Sequence, residues 1–306
     1  MTPTEEDLNK IMVSVICTTF NQEKYIAQAL DGFVMQQTNF KFEIIVHDDA
    51  STDKTPNIVK AYEIKYPRLF KNIYQTENQY SKGNNDVGKI VFSAARGKYI
   101  ALCEGDDYWI DPNKLQKQFD FLESHPDYSM CFHNAIVVFE ESENSPIYFN
   151  NFKNDRDLST EDIISTWTIP TASMVFRKNN VLPLPFWVHR IYSGDLTLAL
   201  LLSDTGNVRF LKDIMSIYRK TLNGISVILK NKITFVLDQK ILLFSLFNEQ
   251  THFKYKTTIE NTVSKMQADT KYLVYKNKFI LLPFIFMPKY MINKIYTKFH
   301  THLVVF

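Results

Sequence analysis

The sequence contains little glycine, with only 8 glycines among 306 residues. A dinucleotide-binding turn and a P-loop both need several glycines after a strand, so that phosphate can approach the backbone. The first apolar run is followed instead by Thr18–Asn21, a stretch without glycine. The sequence therefore disfavours NAD-dependent chemistry and ordinary P-loop chemistry.

Cysteine is also scarce, and no long apolar run is present. The three cysteines, Cys17, Cys103 and Cys131, are too scattered for a disulfide framework or a zinc site. We expect buried free thiols, as in a protein of the reducing cytoplasm. The acidic N-terminus does not look like a signal peptide, and no apolar run reaches the roughly 20 residues of a membrane span. These features predict a cytoplasmic protein.

Charge is distributed unevenly along the chain. Residues 207–306 hold 16 basic and 5 acidic side chains, whereas the first 206 residues hold 19 basic and 28 acidic ones. The asymmetry indicates an acidic front half suited to a metal ion and a basic C-terminal part suited to an anionic surface. No feature indicates a nucleic-acid partner.

Short β-branched runs alternate with amphipathic stretches over the first 125 residues. Residues 13–17, 42–46, 72–75 and 99–103 have strand patterns, and helical spacing lies between them. The alternation predicts βαβ units and a mixed, mainly parallel sheet flanked by helices. We predict one α/β domain over residues 10–222, with halves 10–125 and 126–222, followed by a basic, aromatic helical region over 223–306.

Polar residues follow three of the predicted strands, in Thr18–Asn21, His47–Thr55 and Glu104–Trp109. Ligands of open α/β sheets bind beyond the carboxyl ends of the strands. In the second segment, Ser51, Thr52 and Asp53 also suit a turn and a helix cap. An aspartyl-phosphate enzyme is disfavoured, because it needs an Asp-x-Asp pattern after the first strand.

The third segment places Glu104, Asp106 and Asp107 at the end of an apolar strand. Clustered carboxylates become stable when a divalent cation neutralises them, and Mg²⁺ or Mn²⁺ takes oxygen ligands together with substrate phosphates. The alternative is a surface turn in which Asp111 caps the next helix and Pro112 begins it. That alternative accounts for Asp111 and Pro112 but not for the three carboxylates.

Three stretches, "VSVICTTFNQEKYIAQALDGFVMQ", "FEIIVHDDASTDKT" and "ARGKYIALCEGDDYWIDPNKLQKQ", resemble family 2 glycosyltransferases of the GT-A fold. The resemblance covers about residues 12–222. It is strongest to bacterial members that build capsular or O-antigen polysaccharide. It implies a Rossmann-like GT-A sheet and a nucleotide-diphospho-sugar donor.

The resemblance implies a nucleotide site at the first two strand ends. Thr18 and Asp49 match residues that contact the uridine of a UDP-sugar, and we add Phe20 and Asn21 to the same site. Arg219, in "YRK", either faces the diphosphate or forms a surface salt bridge.

The acidic stretch corresponds to the DxD-type motif of the family. The resemblance implies that Asp106 and Asp107 hold Mn²⁺ or Mg²⁺ on the diphosphate and that Asp106 also contacts the donor. Glu104 stands where the motif has its first aspartate and is a third candidate metal ligand.

Asp195, in "YSGDLTLALLL", is by itself an ordinary helix N-cap. The resemblance instead implies that Asp195 is the catalytic base. A single base opposite a metal-assisted leaving group gives inversion. The Gln-x-x-Arg-Trp motif of processive synthases is missing, which favours the addition of single sugars.

These features predict an inverting, metal-dependent glycosyltransferase of the hexosyltransferase type. It would move one sugar from a UDP-sugar to a glycan or polyprenyl-linked acceptor in surface polysaccharide synthesis. One alternative is a non-catalytic subunit of a polysaccharide assembly complex. Another is a sugar-phosphate nucleotidyltransferase, which would need a glycine- and arginine-rich loop that this chain lacks.

The basic stretch Lys276–His300 has an apolar centre interrupted by Pro283. It suits an interfacial element on anionic lipid at the cytoplasmic face of the inner membrane. The alternative is a helix packed on the catalytic domain or on a second copy of the chain.

Overall fold

The computed structural model describes residues 10–82, 87–140, 142–221, 224–229 and 232–281. Within these residues, ten strands form one mixed sheet in the order β3-β2-β1-β4-β9-β6-β10-β5, with β7 beside β6 and β8 beside β10. The strands are β1 (Ile11–Thr19), β2 (Lys41–Asp48), β3 (Ile73–Tyr74), β4 (Tyr99–Leu102), β5 (Tyr108–Trp109), β6 (Tyr128–Phe139), β7 (Ile147–Tyr148), β8 (Arg156–Leu158), β9 (Val175–Arg177) and β10 (Asn207–Lys220).

Helices lie between these strands along the chain and follow the last of them. They are α1 (Ile26–Val34), α2 (Thr55–Lys65), α3 (Val87–Ala94), α4 (Lys114–Ser124), α5 (Thr160–Ser165), α6 (Gly194–Thr205), α7 (Ile225–Ile228), α8 (Ile233–Gln250) and α9 (Lys256–Leu281). A first compact unit ends at Ile259 and a second begins at Glu260. Helix α8 belongs to the first unit and buries Leu243, Phe244 and Phe247 there.

The parallel part of the sheet brings three strand ends to one edge. β1 pairs in parallel with both β2 and β4, and residues such as Val15, Ile44 and Ala101 are completely buried. Strands buried on both faces are continuously apolar, which explains the short β-branched runs in the sequence. Because β1, β2 and β4 run in the same direction, their polar exits lie side by side.

The predicted α/β architecture is confirmed, and the segment after β4 differs from the prediction in detail. Pro112 does not begin α4, which starts at Lys114, and Asp111 is not its N-cap. The carbonyl oxygens of Asp111 and Pro112 instead accept hydrogen bonds from the side chain of Gln36 and the backbone of Gln37. These bonds hold residues 111–112 against the loop that follows α1, and α4 begins only at Lys114.

Helix α1 packs directly on the backbone that follows the acidic segment. A Cβ atom at Gly32 would lie 2.9 Å from the carbonyl oxygen of Trp109. Only glycine permits this approach. The edge of Phe33 contacts the Trp109 ring at 4.8 Å between centroids. Helix α1 therefore packs against Trp109, two residues after the acidic turn.

The predicted buried thiols are confirmed, since Cys17, Cys103 and Cys131 are free and buried. None of the helices in the described ranges is long and apolar enough to cross a membrane. The stretch Lys276–His300, predicted to contact lipid or protein, lies outside the described residues except for its helical backbone up to Leu281.

Candidate active site

An acidic turn, Glu104–Asp107, joins β4 to the short strand β5. The turn is hydrogen-bonded to the end of β1, because the backbone N–H of Gly105 donates to the Thr18 carbonyl at 3.0 Å. A Cβ atom at Gly105 would lie 2.9 Å from the Oγ1 atom of Thr19. The glycine between the carboxylates therefore lets the turn lie flat against β1.

Arg219, near the end of β10, fixes the other side of the acidic turn. Its backbone N–H donates to Asp107 Oδ1 at 2.8 Å, and its Nη1 donates to the Asp106 carbonyl at 2.6 Å. Its Nη2 and Nε donate to Gln28 and Glu140, at 2.6 and 2.9 Å. All three guanidinium nitrogens thus have protein partners.

The Arg219 guanidinium also lies between two aromatic rings, 4.6 Å from the Tyr25 centroid and 4.9 Å from that of Tyr108. Arg219 is only 6% exposed. Arg219 pairs with the partly exposed Glu140, and its own side chain is buried among residues of α1, β5 and β10. Its hydrogen bonds hold the acidic turn in position.

Burial raises the pKa of all three carboxylates of the turn, and neighbouring charges add to the shift at Glu104 and Asp107. Burial, followed by the charges of Asp106 and Glu104, raises the pKa of Asp107 well above its usual range. Burial and the charges of Asp106 and Asp195 raise the pKa of Glu104 to about 8. Burial also raises the pKa of Asp106, although the nearby Arg219 opposes that shift. The protein surroundings therefore do not balance the negative charge that the ionised turn would carry.

One oxygen of the turn is left without a partner. Asp107 is 1% exposed, and its Oδ2 atom is buried without a hydrogen-bond donor. Orphaned buried carboxylate oxygens are costly unless a ligand completes them. An oxygen atom of this kind, in a cluster of negative charge, fits a hard divalent cation.

The structure does not bring Glu104, Asp106 and Asp107 into one ligand cluster. Across the described ranges, no group of three or more His, Cys, Asp or Glu side chains could hold a metal ion by itself. Mg²⁺ and related ions at phosphate-binding sites usually take only one or two protein carboxylates. Asp106 and Asp107 therefore fit such a site better than all three carboxylates do.

The exits of β1 and β2 are hydrogen-bonded to each other. Asn21, with a φ angle of 52°, accepts the Thr52 N–H on its side-chain oxygen at 2.8 Å and donates its own N–H to Ser51 Oγ at 2.9 Å. The preceding residue, Phe20, is 45% exposed. The predicted nucleotide residues of these two exits therefore lie together.

The carboxylate of Asp49 anchors a distant loop. Its two oxygens accept the backbone N–H groups of Gln79 and Tyr80, at 2.7 and 3.0 Å. Sequence reasoning missed these two residues, and nothing in their local pattern marks them as partners of Asp49. The contact exists only because β2 and β3 are neighbours in the sheet.

Asp195 lies in the first turn of α6, and the N-cap position belongs to Ser193. The N-cap interpretation of Asp195 is therefore wrong by two residues. Its Oδ1 accepts the Leu196 N–H at 2.8 Å and the Ser193 hydroxyl at 2.6 Å, while Oδ2 is 3.5 Å from Thr171 Oγ1. Because its charge raises the pKa of Glu104, Asp195 lies close to the acidic turn.

Helix α8 brings a lysine to the same region, which the sequence interpretation missed. Burial lowers the pKa of Lys240, and the charge of Asp195 opposes that shift. The only signal in the sequence was the position of Lys240 inside the apolar stretch "ITFVLDQKILLF". Helix α8 therefore borders the candidate active site.

The chain matches the model of glycosyl transferase family 2 over residues 14–181, more than half of its length. The protein belongs to this family and carries a domain of the glycosyl transferase family 2 type. The predicted family and enzyme class are thereby confirmed.

Curated relatives are similar to part of the chain. An uncharacterized protein of Mycobacterium tuberculosis, Rv1520, is 39% identical over 225 residues, which are 70% of this chain and 60% of that protein. The chain thus spans about 60% of the length of this mycobacterial relative. The Escherichia coli protein WfaP, named as a UDP-Glc:α-D-GlcNAc-diphosphoundecaprenol β-1,3-glucosyltransferase, is 34% identical over 113 residues, or 37% of this chain and 42% of WfaP.

Solved structures of low identity share the fold. Staphylococcus aureus TarS 1–349 in complex with UDP-GlcNAc has a TM-score of 0.57 and 19% identity, over 76% of this chain and 66% of TarS. The mannosyltransferase PcManGT of Pyrobaculum calidifontis, in complex with GDP-Man and Mn²⁺, has a TM-score of 0.56 and 14% identity, over 90% of this chain and 81% of PcManGT. The predicted GT-A fold is confirmed.

Proposed function

We propose that the protein transfers a single sugar, with inversion, from a UDP-sugar to a hydroxyl group of a glycan or lipid-linked acceptor in surface polysaccharide synthesis. Membership of glycosyl transferase family 2 supports the transfer. The donor and acceptor in the name of WfaP support a UDP-sugar and a lipid-linked glycan. The complex of TarS with UDP-GlcNAc supports a UDP-sugar as well.

The observation that carries the proposal is the acidic turn beside Asp195. Asp107 presents a buried, unpartnered oxygen, and Asp106 is the adjacent carboxylate. We assign Mn²⁺ or Mg²⁺ to these two residues. Such a cation would neutralise the charge of the leaving diphosphate. Arg219 is a positioning residue, because its backbone N–H and its guanidinium hold the two aspartates in place.

The nucleotide would occupy the exits of β1 and β2. Each Asp49 oxygen has one backbone donor and therefore keeps a lone pair for an N–H group of the base. Phe20 offers an exposed ring beside Asn21, and Thr18 borders the acidic turn through its carbonyl. This arrangement supports a position of the base at β2 and of the diphosphate at the acidic turn.

Asp195 would take the proton of the acceptor hydroxyl. Ser193 and Leu196 donate to Oδ1 and orient the carboxylate, whereas Oδ2 has only the long contact to Thr171. Oδ2 is therefore the atom that can accept a proton. One base opposite the leaving diphosphate gives a single displacement with inversion.

Asp195→Asn tests this assignment. The amide keeps the shape of the side chain but cannot accept the proton, so transfer should fall about 10²–10⁴-fold. Binding of UDP, measured by thermal shift with Mn²⁺, should stay unchanged. Asp204→Asn, near the other end of α6, is the matched control and should keep full turnover. Near-normal transfer by Asp195→Asn would show that the base is another group.

We also propose that the basic C-terminal part binds the anionic surface of the membrane that carries the acceptor. The excess of 16 basic over 5 acidic side chains in residues 207–306 supports this. Flotation with phosphatidylglycerol vesicles should recover the full chain and not a chain that ends at Asp269. A full chain that does not float, but loses its self-association on truncation, would assign this part to an interface between copies.

A further inference from the structure

Three aromatic side chains from separate parts of the first compact unit form a row. Tyr80 follows β3, Tyr192 precedes α6, and Phe235 lies in α8. The ring centroids of Tyr80 and Tyr192 are 5.8 Å apart at 66°, and those of Tyr192 and Phe235 are 5.6 Å apart at 82°. Both are edge-to-face contacts, a favourable geometry for aromatic pairs. We call these three residues the aromatic row.

The aromatic row connects the candidate nucleotide site to the candidate base. At one end, Asp49 accepts the Tyr80 N–H at 3.0 Å. In the middle, the Tyr192 N–H donates to Gln239 Oε1 on α8 at 3.0 Å, and Asp195 lies three residues further along the chain. The row therefore borders the space in which donor and acceptor must meet.

The ends of the row remain open to solvent. Tyr80 is 42% exposed and Phe235 is 41% exposed. Packing between the loops explains the contacts among the rings but not these open surfaces. Exposed rings beside a few convergent polar groups are typical of small-molecule sites. A pyranose ring matches this chemistry, because its C–H face packs on an aromatic ring while its hydroxyls reach carboxylates.

The position of the row favours the acceptor over the donor. Tyr192 lies directly before the N-cap of α6 and three residues before Asp195, the group that must meet the acceptor hydroxyl. Tyr192 and Phe235 also lie outside residues 14–181, the part that matches the family model. The nucleotide, in contrast, is assigned to strand exits within that part. Two of the three rings in the aromatic row thus lie beyond the part of the chain that matches the family model.

We propose that the aromatic row is an acceptor subsite that binds a pyranose ring of the acceptor glycan and directs its hydroxyl toward Asp195. This inference rests on the proposed function and names the acceptor class. Tyr192 is the central ring, and Phe235 supplies the open surface from α8. The helix that follows the catalytic sheet is therefore part of the substrate site.

Saturation-transfer NMR tests the subsite without knowledge of the natural acceptor. The probes are the methyl β-glycosides of glucose, galactose and N-acetylglucosamine, each measured with and without UDP and Mn²⁺. At least one glycoside should receive saturation from the wild-type protein, and Phe235→Ala should weaken its binding about five- to tenfold. Phe186→Ala, which removes a ring that is 88% exposed, is the matched control and should bind like the wild type.

Two outcomes would overturn the subsite. One is that no glycoside receives saturation from the wild type, and the other is that Phe235→Ala and Phe186→Ala bind equally well. Melting temperatures of both variants check that they fold. Failure of the proposed function is seen separately, as the absence of any UDP-dependent thermal shift in the wild type. Tyr192→Phe, which keeps the ring, should bind within about twofold of the wild type if the ring face carries the contact.

Discussion

The exits of β2 and β4 look alike in the sequence, since each places adjacent aspartates after an apolar strand. At β2, the side chains find protein partners: Asp48 accepts the Ser51 hydroxyl at 2.5 Å, and Asp49 accepts two backbone N–H groups. At β4, Asp107 keeps an oxygen that is buried and unpartnered. Both aspartates at β2 have hydrogen-bond donors within the protein, whereas Asp107 at β4 has an oxygen with none.

The difference favours a cation at the β4 exit over one at the β2 exit. Satisfied carboxylates hold loops in place, as Asp49 holds the segment at Tyr80. A buried carboxylate oxygen without a hydrogen-bond donor lowers the stability of the fold. Such destabilising groups are usually found at functional sites. The following four predictions test the contrast, beginning with the largest expected effect.

Asp107→Asn should abolish most of the activity. The amide removes the negative charge that attracts the cation, so hydrolysis of a UDP-sugar should fall about 10²–10³-fold. The Mn²⁺-dependent part of the UDP thermal shift should disappear.

Asp48→Asn, at the β2 exit, is the matched control and should keep the Mn²⁺-dependent shift. Equal loss in both variants would mean that the two acidic pairs do not differ in the proposed way. A titration with Mn²⁺ in each variant gives the comparison directly.

Arg219→Met should destabilise the fold by about 3–5 kcal/mol, because it removes a buried cation from its partners. The acidic turn would lose the hydrogen bond to the Asp106 carbonyl and the contacts with Tyr25 and Tyr108. Urea unfolding measures the loss. Lys117→Met, which removes exposed ion pairs with Asp111 and Asp213, should cost less than about 1 kcal/mol. Similar losses in the two variants would contradict the positioning role of Arg219.

Lys114→Met should stabilise the protein at neutral pH by about 1 kcal/mol. Lys114 lies behind the β4 exit, fully buried and 3.9 Å from the Trp109 centroid, and its Nζ has no hydrogen-bond partner. Burial lowers its pKa to about 7. Between about pH 7 and the usual lysine pKa, the unfolded chain binds more protons than the folded one, so this lysine makes stability rise with pH.

The gain of Lys114→Met over the wild type should therefore be largest at pH 7 and shrink toward pH 10. Urea unfolding of both proteins at pH 7, 8.5 and 10 measures this difference. A variant that is less stable than the wild type at pH 7 would indicate that Lys114 is charged and balances the acidic turn.

Ser51→Ala should have the smallest effect, about 1 kcal/mol of stability, because it leaves Asp48 without its hydroxyl donor. The Mn²⁺-dependent UDP shift should be unchanged, since this exit is complete within the protein. A loss of that shift would place the cation at β2 rather than at β4.

Sequence patterns predicted the parallel core because β1, β2 and β4 are short, apolar and β-branched, and such runs form strands wherever they can be buried. The position of Asp111 and Pro112 was predicted wrongly, because Gln36 and Gln37 of a different element take their carbonyl oxygens. Local propensity carries no information about such a contact.

The sequence by itself determined the strand exits and their chemistry, because residue type and period are local properties that decide burial and polarity. Only the tertiary structure decided which carboxylates are satisfied. Arg219 reaches Asp106 and Asp107 from more than 100 positions away along the chain, and Gln79 and Tyr80 reach Asp49 from about 30 positions away. The order and register of the strands in the sheet determine which distant residues become hydrogen-bond partners. The charge that remains unbalanced at Asp107 is therefore a property of the fold and not of the acidic motif alone.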